Sequence, residues 1–171
     1  MTNSPSAVLE EGLDLLLHME ELPDSGLVAQ RVAISRSIVC AAPTYLATRG
    51  EPRHPRDLIE HRALIYNRHD EASNTSWSFV RGIEKVVVKV PVRMASRDGL
   101  GLVDAMVGVG GIGRISEFAA GHLAASKLLT TLFADWQGSL LPVHAVWPNS
   151  GSRASAKSKL FLEFACSLMK S

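Results

Sequence analysis

The stretch that decides the fold runs from Leu27 to Tyr66, LVAQRVAISRSIVCAAPTYLATRGEPRHPRDLIEHRALIY. Between Val28 and Cys40, β-branched and apolar residues fill a run of strand composition, which predicts one long strand or a pair of strands. Pro43 then opens a helix carrying Tyr45 and Leu46. Proline suits the first helical turn, where its missing N–H has no intrahelical partner, and Gly50 suits the exit. Pro55 repeats the device for a short helix over Arg56–Glu60, and Ala63–Tyr66 reads as a second strand. Strand, helix, Pro-rich turn, short helix and strand in this order predict an α/β fold.

Outward from this stretch the same pattern continues. Residues 6–11 read as the tail of a helix broken by Gly12, and Leu13–Met19 as a short buried strand. Pro23-Asp24-Ser25-Gly26 is a turn, with proline presetting φ and glycine supplying a positive one. On the C-terminal side, Asn67–Ser76 is polar and loop-like, Trp77-Ser78-Phe79 alternates, and Arg81-Gly82 turns. Lys85–Val92 is strand-rich, with Pro91 marking an edge strand or strand end. Ser96-Arg97-Asp98 caps a helix whose apolar face is Leu100, Val103, Met106 and Val107. Gly108, Gly110, Gly111 and Gly113 end it and lead into Ile112 and Ile115. A helix follows over Ser116–Ala125. Leu128–Phe133 and Leu140–Trp147 read as strands separated by Asp135-Trp136-Gln137-Gly138. Ser152–Met169 closes the chain as an amphipathic helix with Ala156, Leu160, Phe161, Phe164 and Leu168 on one face.

Composition narrows the function classes. The chain has 171 residues, 46% of them hydrophobic and 20% charged, enough for one ordinary domain or two small lobes. A formal net charge of +1 is no footprint for direct nucleic-acid binding, which needs clustered excess Lys and Arg. Cys40 and Cys166 lie far apart inside apolar patterns and read as two buried thiols of a reducing compartment. The N-terminus lacks a basic n-region, and no apolar run reaches the roughly 18–20 residues of a membrane helix. A cytoplasmic protein with no membrane partner is expected.

Catalytic and cofactor motifs fare poorly. Gly108-Val109-Gly110-Gly111-Ile112-Gly113 is a literal G-x-G-x-x-G, but a dinucleotide fingerprint needs a strand before it and a helix opening within it. Here a helical pattern precedes and a strand-like one follows, so a glycine-rich helix exit explains it better. There is no G-x-S-x-G elbow, and the six histidines show neither H-x-x-x-H nor H-E-x-x-H spacing. His61 follows the short helix, where its imidazole would favour the C-terminal dipole. No enzyme, cofactor or metal centre is expected. Trp77, Trp136 and Trp147 are read as packing residues before pocket residues.

Pro43, Tyr45, Leu46, Gly50, Pro52, Pro55, Asp57, Leu58, His61 and Leu64 together resemble a pattern of the effector-binding domain of LysR-type transcriptional regulators, P-x-Y-L-x-x-x-G-x-P-x-x-P-x-D-L-x-x-H-x-x-L. Asp98-Gly99, Ile112–Phe118, Asp135-Trp136 and the apolar strand ending at Pro148 extend the resemblance over about residues 7–170. It implies an α/β, periplasmic-binding-protein-like (type 2) fold with two α/β subdomains joined by crossing segments near 33–38 and 110–116. Subdomain II would be 36–112; subdomain I would combine 1–35 with 113–171. The family's winged helix-turn-helix, and the opening strand–helix–strand of its first subdomain, have no counterpart here, so the first subdomain is expected to be truncated. Its open sheet edge would favour self-association or strand capture from a partner.

In such an architecture a ligand lies at strand ends and helix N-termini. Three polar groups fall there: Ser35, Arg36 and Ser37 on the crossing strand, Asn67 and Arg68 after Tyr66, and Ser96, Arg97 and Asp98 before a helix whose free N–H groups suit a carboxylate or phosphate. The resemblance places ligand contacts at these positions, and Ile112-Gly113 would add backbone contacts at the returning hinge. Arg36, Arg68 and Arg97 suit a small anion. The function implied is a non-enzymatic effector sensor in transcription regulation. It would bind a small molecule between the lobes, have no DNA-binding domain of its own, and act as a homo-oligomer or in a mixed dimer with a full-length regulator. The alternative is a stand-alone small-molecule-binding or partner-interaction protein with no transcriptional role.

Overall fold

The computed structural model describes residues 7–19, 26–66, 75–149 and 156–168. In chain order the elements are α1 (Ala7–Glu10), β1 (Leu16–Met19), β2 (Leu27–Ala41), α2 (Pro43–Arg49), a 3-10 turn (Pro55–Glu60) and β3 (Ala63–Tyr66). Next come β4 (Ser76–Arg81), β5 (Glu84–Lys89), β6 (Val92–Ser96), α3 (Gly99–Ala105), a π turn (Met106–Gly110) and β7 (Ile112–Ser116). The chain ends with α4 (Glu117–Ala125), β8 (Thr130–Leu132), β9 (Leu140–Pro148) and α5 (Ala156–Leu168). The fold is mixed α/β.

Two compact units divide the chain, 1–35 with 140–171 and 36–139. Over 113–139 this partition differs from the one expected from sequence, because β7 and β8 are hydrogen-bonded to β2 within the second unit. In the first unit β1 runs antiparallel to β9, from Leu16 opposite Val146 to Met19 opposite Val143, and β9 also neighbours β2. Its core gathers Ala145, Trp147 and Leu162 with Leu15, Leu17, Val28 and Val32. The apolar face expected for the last helix is not the buried one. Leu162 and Ser158 are buried, whereas Leu160, Phe161 and Phe164 are exposed. Apolar residues at 160, 161, 162 and 164 spread around the helix at 100° per residue, so periodicity alone could not choose the face.

In the second unit the sheet order is β8, β2, β7, β3, β6, with β3 parallel to both β6 and β7. Side chains alternate across it. Val39, Ala41, Ile65 and Ile112 enter one core with Trp77, Phe79, Val86 and Val88 of the β4–β5 hairpin. Cys40, Leu64 and Ile115 enter another with Leu102 and Met106. The buried face of α3 and its π turn is therefore Leu102, Ala105 and Met106. Leu100, placed on that face by spacing, is 73% exposed, and Val107 is also exposed. Pro91 divides the expected Lys85–Val92 strand into β5 and β6. Gly82, with φ +59°, begins the two-residue loop of the hairpin. The strand expected over Leu13–Met19 starts three residues later, and β8 keeps only the middle of Leu128–Phe133. Burial pushes the Cys40 thiol up to about 12. The Cys166 side chain and the turn residues 23–25 lie outside the described parts.

The Pro-rich motif is built from local bonds. Pro43 and Pro55 sit in first turns, and the Gly50 N–H donates to the Leu46 carbonyl with φ +83°. The Asp57 carboxylate accepts from the backbone N–H groups of Arg53 (3.0 Å) and His54 (2.8 Å), while the Arg56 N–H donates to His54 Nδ1, closing a capping box. Pro52 and Leu58 are buried in it, and Leu64 is buried in the core on the α3 side of the sheet. His61 does more than meet a helix end. The Arg62 N–H donates to Tyr45 Oη (3.0 Å), leaving the Tyr45 hydroxyl to donate to His61 Nδ1 at 3.2 Å.

That bond requires an unprotonated Nδ1, and burial holds the His61 imidazole below the usual histidine range, with the nearby Glu60 opposing. The folded state thus binds a proton less readily than the unfolded one. Its contribution to stability is present above the unfolded pKa of about 6.5 and lost as pH falls through the lower folded value. Thermal melts between pH 7 and 5 are expected to show a loss that Tyr45→Phe diminishes. Identical pH slopes in both proteins would remove the Tyr45–His61 bond as the cause.

Candidate functional site

Because β3, β6 and β7 are parallel, their carboxyl ends (Tyr66, Ser96 and Ser116) lie at one end of the sheet. β2 is antiparallel to β7 and brings Ser37 opposite Ser116 at that end. Ligands of open α/β sheets sit at such an end. The three expected polar groups meet different fates there.

Ser96, Arg97 and Asp98 close on themselves. The Asp98 carboxylate accepts from the N–H groups of Leu100 (3.3 Å) and Gly101 (3.0 Å), and Ser96 Oγ accepts from the Asp98 N–H (3.1 Å) and donates to the Asp98 carbonyl (2.9 Å). The free amides expected to receive an anion at the start of α3 are thus already served by the chain's own carboxylate. Removing that carboxylate in Asp98→Ala is expected to cost about 1 kcal/mol of stability. Asp98→Asn, which keeps an acceptor, should retain most of it in a urea titration; an equal loss in both would argue against capping. Arg97 is exposed. Asn67 and Arg68, with His69, lie outside the described residues.

Ile112 and Gly113 are core positions. Ile112 is fully buried, its N–H donating to the Arg62 carbonyl at 2.8 Å. A Cβ on Gly113 would collide with the Met106 thioether, so close packing explains this glycine without a ligand. The glycine-rich run follows α3 and leads into β7, the reverse of a phosphate-binding turn. Among the described residues no group of His, Cys, Asp and Glu is placed to hold a metal ion.

Arg36 and Ser37 line a cleft. Its volume is about 470 Å³, within the span of small-molecule sites. Ile38, Val39, Phe79, Ala120, Leu132 and Phe133 supply apolar wall, and Glu117, Asp135, Trp136 and Gln137 its polar parts. Ser35, the next residue along the strand, is buried. Ser37 is 4% exposed and its N–H donates to the Ser139 carbonyl at 2.9 Å, but its Oγ has no hydrogen-bond partner. Trp136, 7% exposed, likewise has an unpartnered indole N–H. Two residues of one cleft that each carry an orphaned buried polar group are uncommon and point to a missing partner.

The segment carrying Trp136 is firmly held. Val80 and Gln137 exchange backbone bonds of 3.0 and 2.8 Å, and the Trp136 N–H donates to the Phe133 carbonyl. The Arg81 guanidinium lies 4.3 Å from the Trp136 ring centroid and His54 meets the ring edge-on at 5.1 Å. Arg81 in turn donates to Asp135 (2.7 Å) and Glu84 (3.1 Å). These bonds hold both carboxyls below the usual carboxylate range. Their stabilisation is present above the unfolded pKa values and lost as pH falls through the lower folded ones. Arg81→Ala is expected to flatten the acid limb of a Tm–pH curve below about pH 4; an unchanged limb would exclude this clamp as its source.

Sequence reading found Arg36 and Ser37 but assigned Trp136 to packing and passed over Phe79, Glu117 and Gly138. The Asp135-Trp136 pair was the available signal.

Comparison with known proteins agrees with this architecture. The regulatory domain of CrgA, a LysR-type transcriptional regulator from Neisseria meningitidis, superposes with a TM-score of 0.77 at 27% identity, over 95% of this chain and 78% of that one. Full-length AphB, a virulence activator of Vibrio cholerae, gives 0.73 at 19% identity over 99% of this chain and 56% of that one. The fold class is α/β, periplasmic-binding-protein-like of type 2. Residues 1–169 match the LysR substrate binding domain. An HTH-type transcriptional regulator of Xanthomonas campestris is 30% identical over 153 residues, 88% of this chain and 44% of its own length. An uncharacterized one of Haemophilus influenzae is 28% identical over 142 residues, 83% and 49%. The chain belongs to the LysR substrate-binding domain family, the effector-binding regulatory domains of transcription regulators. It spans about half the length of these curated relatives. The family is one of regulators, not enzymes, and no described helix is long and apolar enough to cross a membrane.

Proposed function

We propose that this domain senses a small-molecule effector in the cytoplasm and acts in transcription without catalysis, as a homo-oligomer or in a mixed dimer with a full-length regulator. The effector's polar group pairs with Ser37 and Trp136, its apolar body lies against Phe79 and Leu132, and Arg36 stands at the mouth. The observation that carries this reading is that two residues lining the cleft, Ser37 and Trp136, each carry a buried polar atom without a hydrogen-bond partner. A ligand that supplies the missing partners removes the penalty of leaving them unsatisfied, roughly 1–3 kcal/mol each.

Thermal shift across a panel of small carboxylic and aromatic acids tests it. A ligand at a hundred times its Kd raises apparent stability by about 2.7 kcal/mol. Ser37→Ala should weaken the response to every acid that gives one. No response from any acid, or full response in Ser37→Ala, would count against this cleft. Mixing the tagged chain with a full-length relative and measuring co-elution tests the mixed dimer.

A further inference from the structure

Arg114 stands in the middle of β7, directly opposite Val39 of β2. Residues two apart on a strand share a face, and directly paired residues do too. Arg114 therefore projects on the same face as Ile112 and Val39, and the next pair along that face is Ser116 with Ser37. This face is the one covered by the β4–β5 hairpin. The guanidinium lies over the buried Trp77 ring, with Cζ 5.4 Å from its centroid. The side chain is half-buried, and burial holds its basicity below the ordinary arginine range. Among the described residues no carboxylate or other hydrogen-bond acceptor pairs with it, in contrast to Arg81 with its two carboxylates. An arginine keeps its charge in a protein and offers five donors. A half-buried cation in apolar and aromatic surroundings, left without a counter-ion, is a costly arrangement.

The geometry points to Arg114 as the anion receptor of this domain, taking the carboxylate of a small monocarboxylic acid on the sheet face that also carries Ser37. This assignment rests on the effector-sensing reading and names the class of effector. One guanidinium matches one negative charge through a two-pronged pair. A phosphate dianion would bring a second charge that one guanidinium leaves unneutralised, at the desolvation cost that makes unpaired charge unfavourable. The Ser37 hydroxyl, buried and without a partner, sits diagonally across the β2–β7 pair, where such neighbours lie about 7–8 Å apart. That is within reach of a single bound acid. No signal in the local sequence marked Arg114, because it occupies an ordinary strand position.

The purified chain, its Arg114→Met and Arg114→Lys variants and Ser37→Ala are titrated with acetate, benzoate and salicylate, with inorganic phosphate in parallel. Melting temperature and the 15N resonance of the Arg114 side-chain Nε–H are followed. At least one monocarboxylate is expected to raise the melting temperature and shift the Arg114 resonance, with phosphate doing neither. Arg114→Met should weaken the apparent affinity at least tenfold while melting no lower than wild type without ligand, since it removes an uncompensated charge. Arg114→Lys should keep part of the response. A carboxylate response undiminished in Arg114→Met overturns this assignment and leaves effector binding through Ser37 and Trp136 standing. No response to any acid overturns both. Phosphate acting as strongly as the carboxylates overturns the ligand class, and a marked loss of stability in ligand-free Arg114→Met shows an internal partner and overturns the site.

Discussion

Gly138→Ala is expected to lower stability by about 3 kcal/mol, at the upper end of what overpacking costs, and the melting temperature by roughly 6–12 °C at 2–4 °C per kcal/mol. A Cβ at this position would run into the Ser37 backbone carbonyl and come within 2.8 Å of Ser37 Oγ. Neither side can yield cheaply. The Ser37 N–H is bonded to the Ser139 carbonyl at 2.9 Å, so β2 cannot draw back from this segment without breaking that bond. On the other flank Gln137 is tied to Val80 by two backbone bonds. Gly113→Ala is the natural comparison. It too has no room, but the obstructing atoms belong to the flexible Met106 side chain, and a loss nearer 1 kcal/mol is expected. Both are read from the same thermal melts. A Gly138→Ala protein melting within 2 °C of wild type would show that β2 and the 137–139 segment are free to separate, and with it that the cleft is not rigidly walled.

Trp77→Ala is expected to remove about 3–5 kcal/mol, a large share of the roughly 5–15 kcal/mol that holds a domain folded. Trp77 is 1% exposed and packs in the core formed by the hairpin and the sheet face of Val39, Ile65 and Ile112. Its removal leaves a void that surrounding side chains, themselves buried, refill only in part. It also removes the ring beneath the Arg114 guanidinium. Trp77→Phe keeps an aromatic face and most of the volume, so it should cost less than half as much. Urea unfolding followed by circular dichroism separates the two, with the m-value held constant as the sign of a two-state comparison. A Trp77→Ala loss below 1 kcal/mol would mean that the hairpin is not part of the cooperative core.

Much of the fold was readable because its causes are local. Proline at a first turn, glycine at a helix exit and a carboxylate three residues into a short helix each act within a few residues of chain. The elements around Pro43, Gly50, Pro55 and Asp57 accordingly lie where they were expected. The alternation of Trp77, Ser78 and Phe79 marked a strand buried on one side for the same reason. Faces of helices were less legible. Apolar residues in α5 occur on more than one side, and in α3 spacing favoured Leu100 over the buried Leu102.

The candidate site was legible in one part of three. Arg36 and Ser37 lie on a cleft, and Asp98 is a cap as its position before a helix suggested. That the Asp98 carboxylate would itself occupy the helix N-terminus is a matter of one side-chain rotamer, which sequence does not specify.

The sequence by itself determined the α/β class and the order of elements, because periodicity, caps and turn chemistry are short-range, and the pattern from Pro43 to Leu64 carried the resemblance to a regulatory family that the match over residues 1–169 shows. Only the tertiary structure decided which polar groups share a surface. Ser37 and Trp136, 99 residues apart in sequence, line one cleft because β8 pairs with β2 and Gln137 pairs with Val80. Arg114 loses water because the hairpin closes over its sheet face. The cost of burying a polar or charged group depends on what is brought against it from elsewhere in the chain, and no local pattern encodes that.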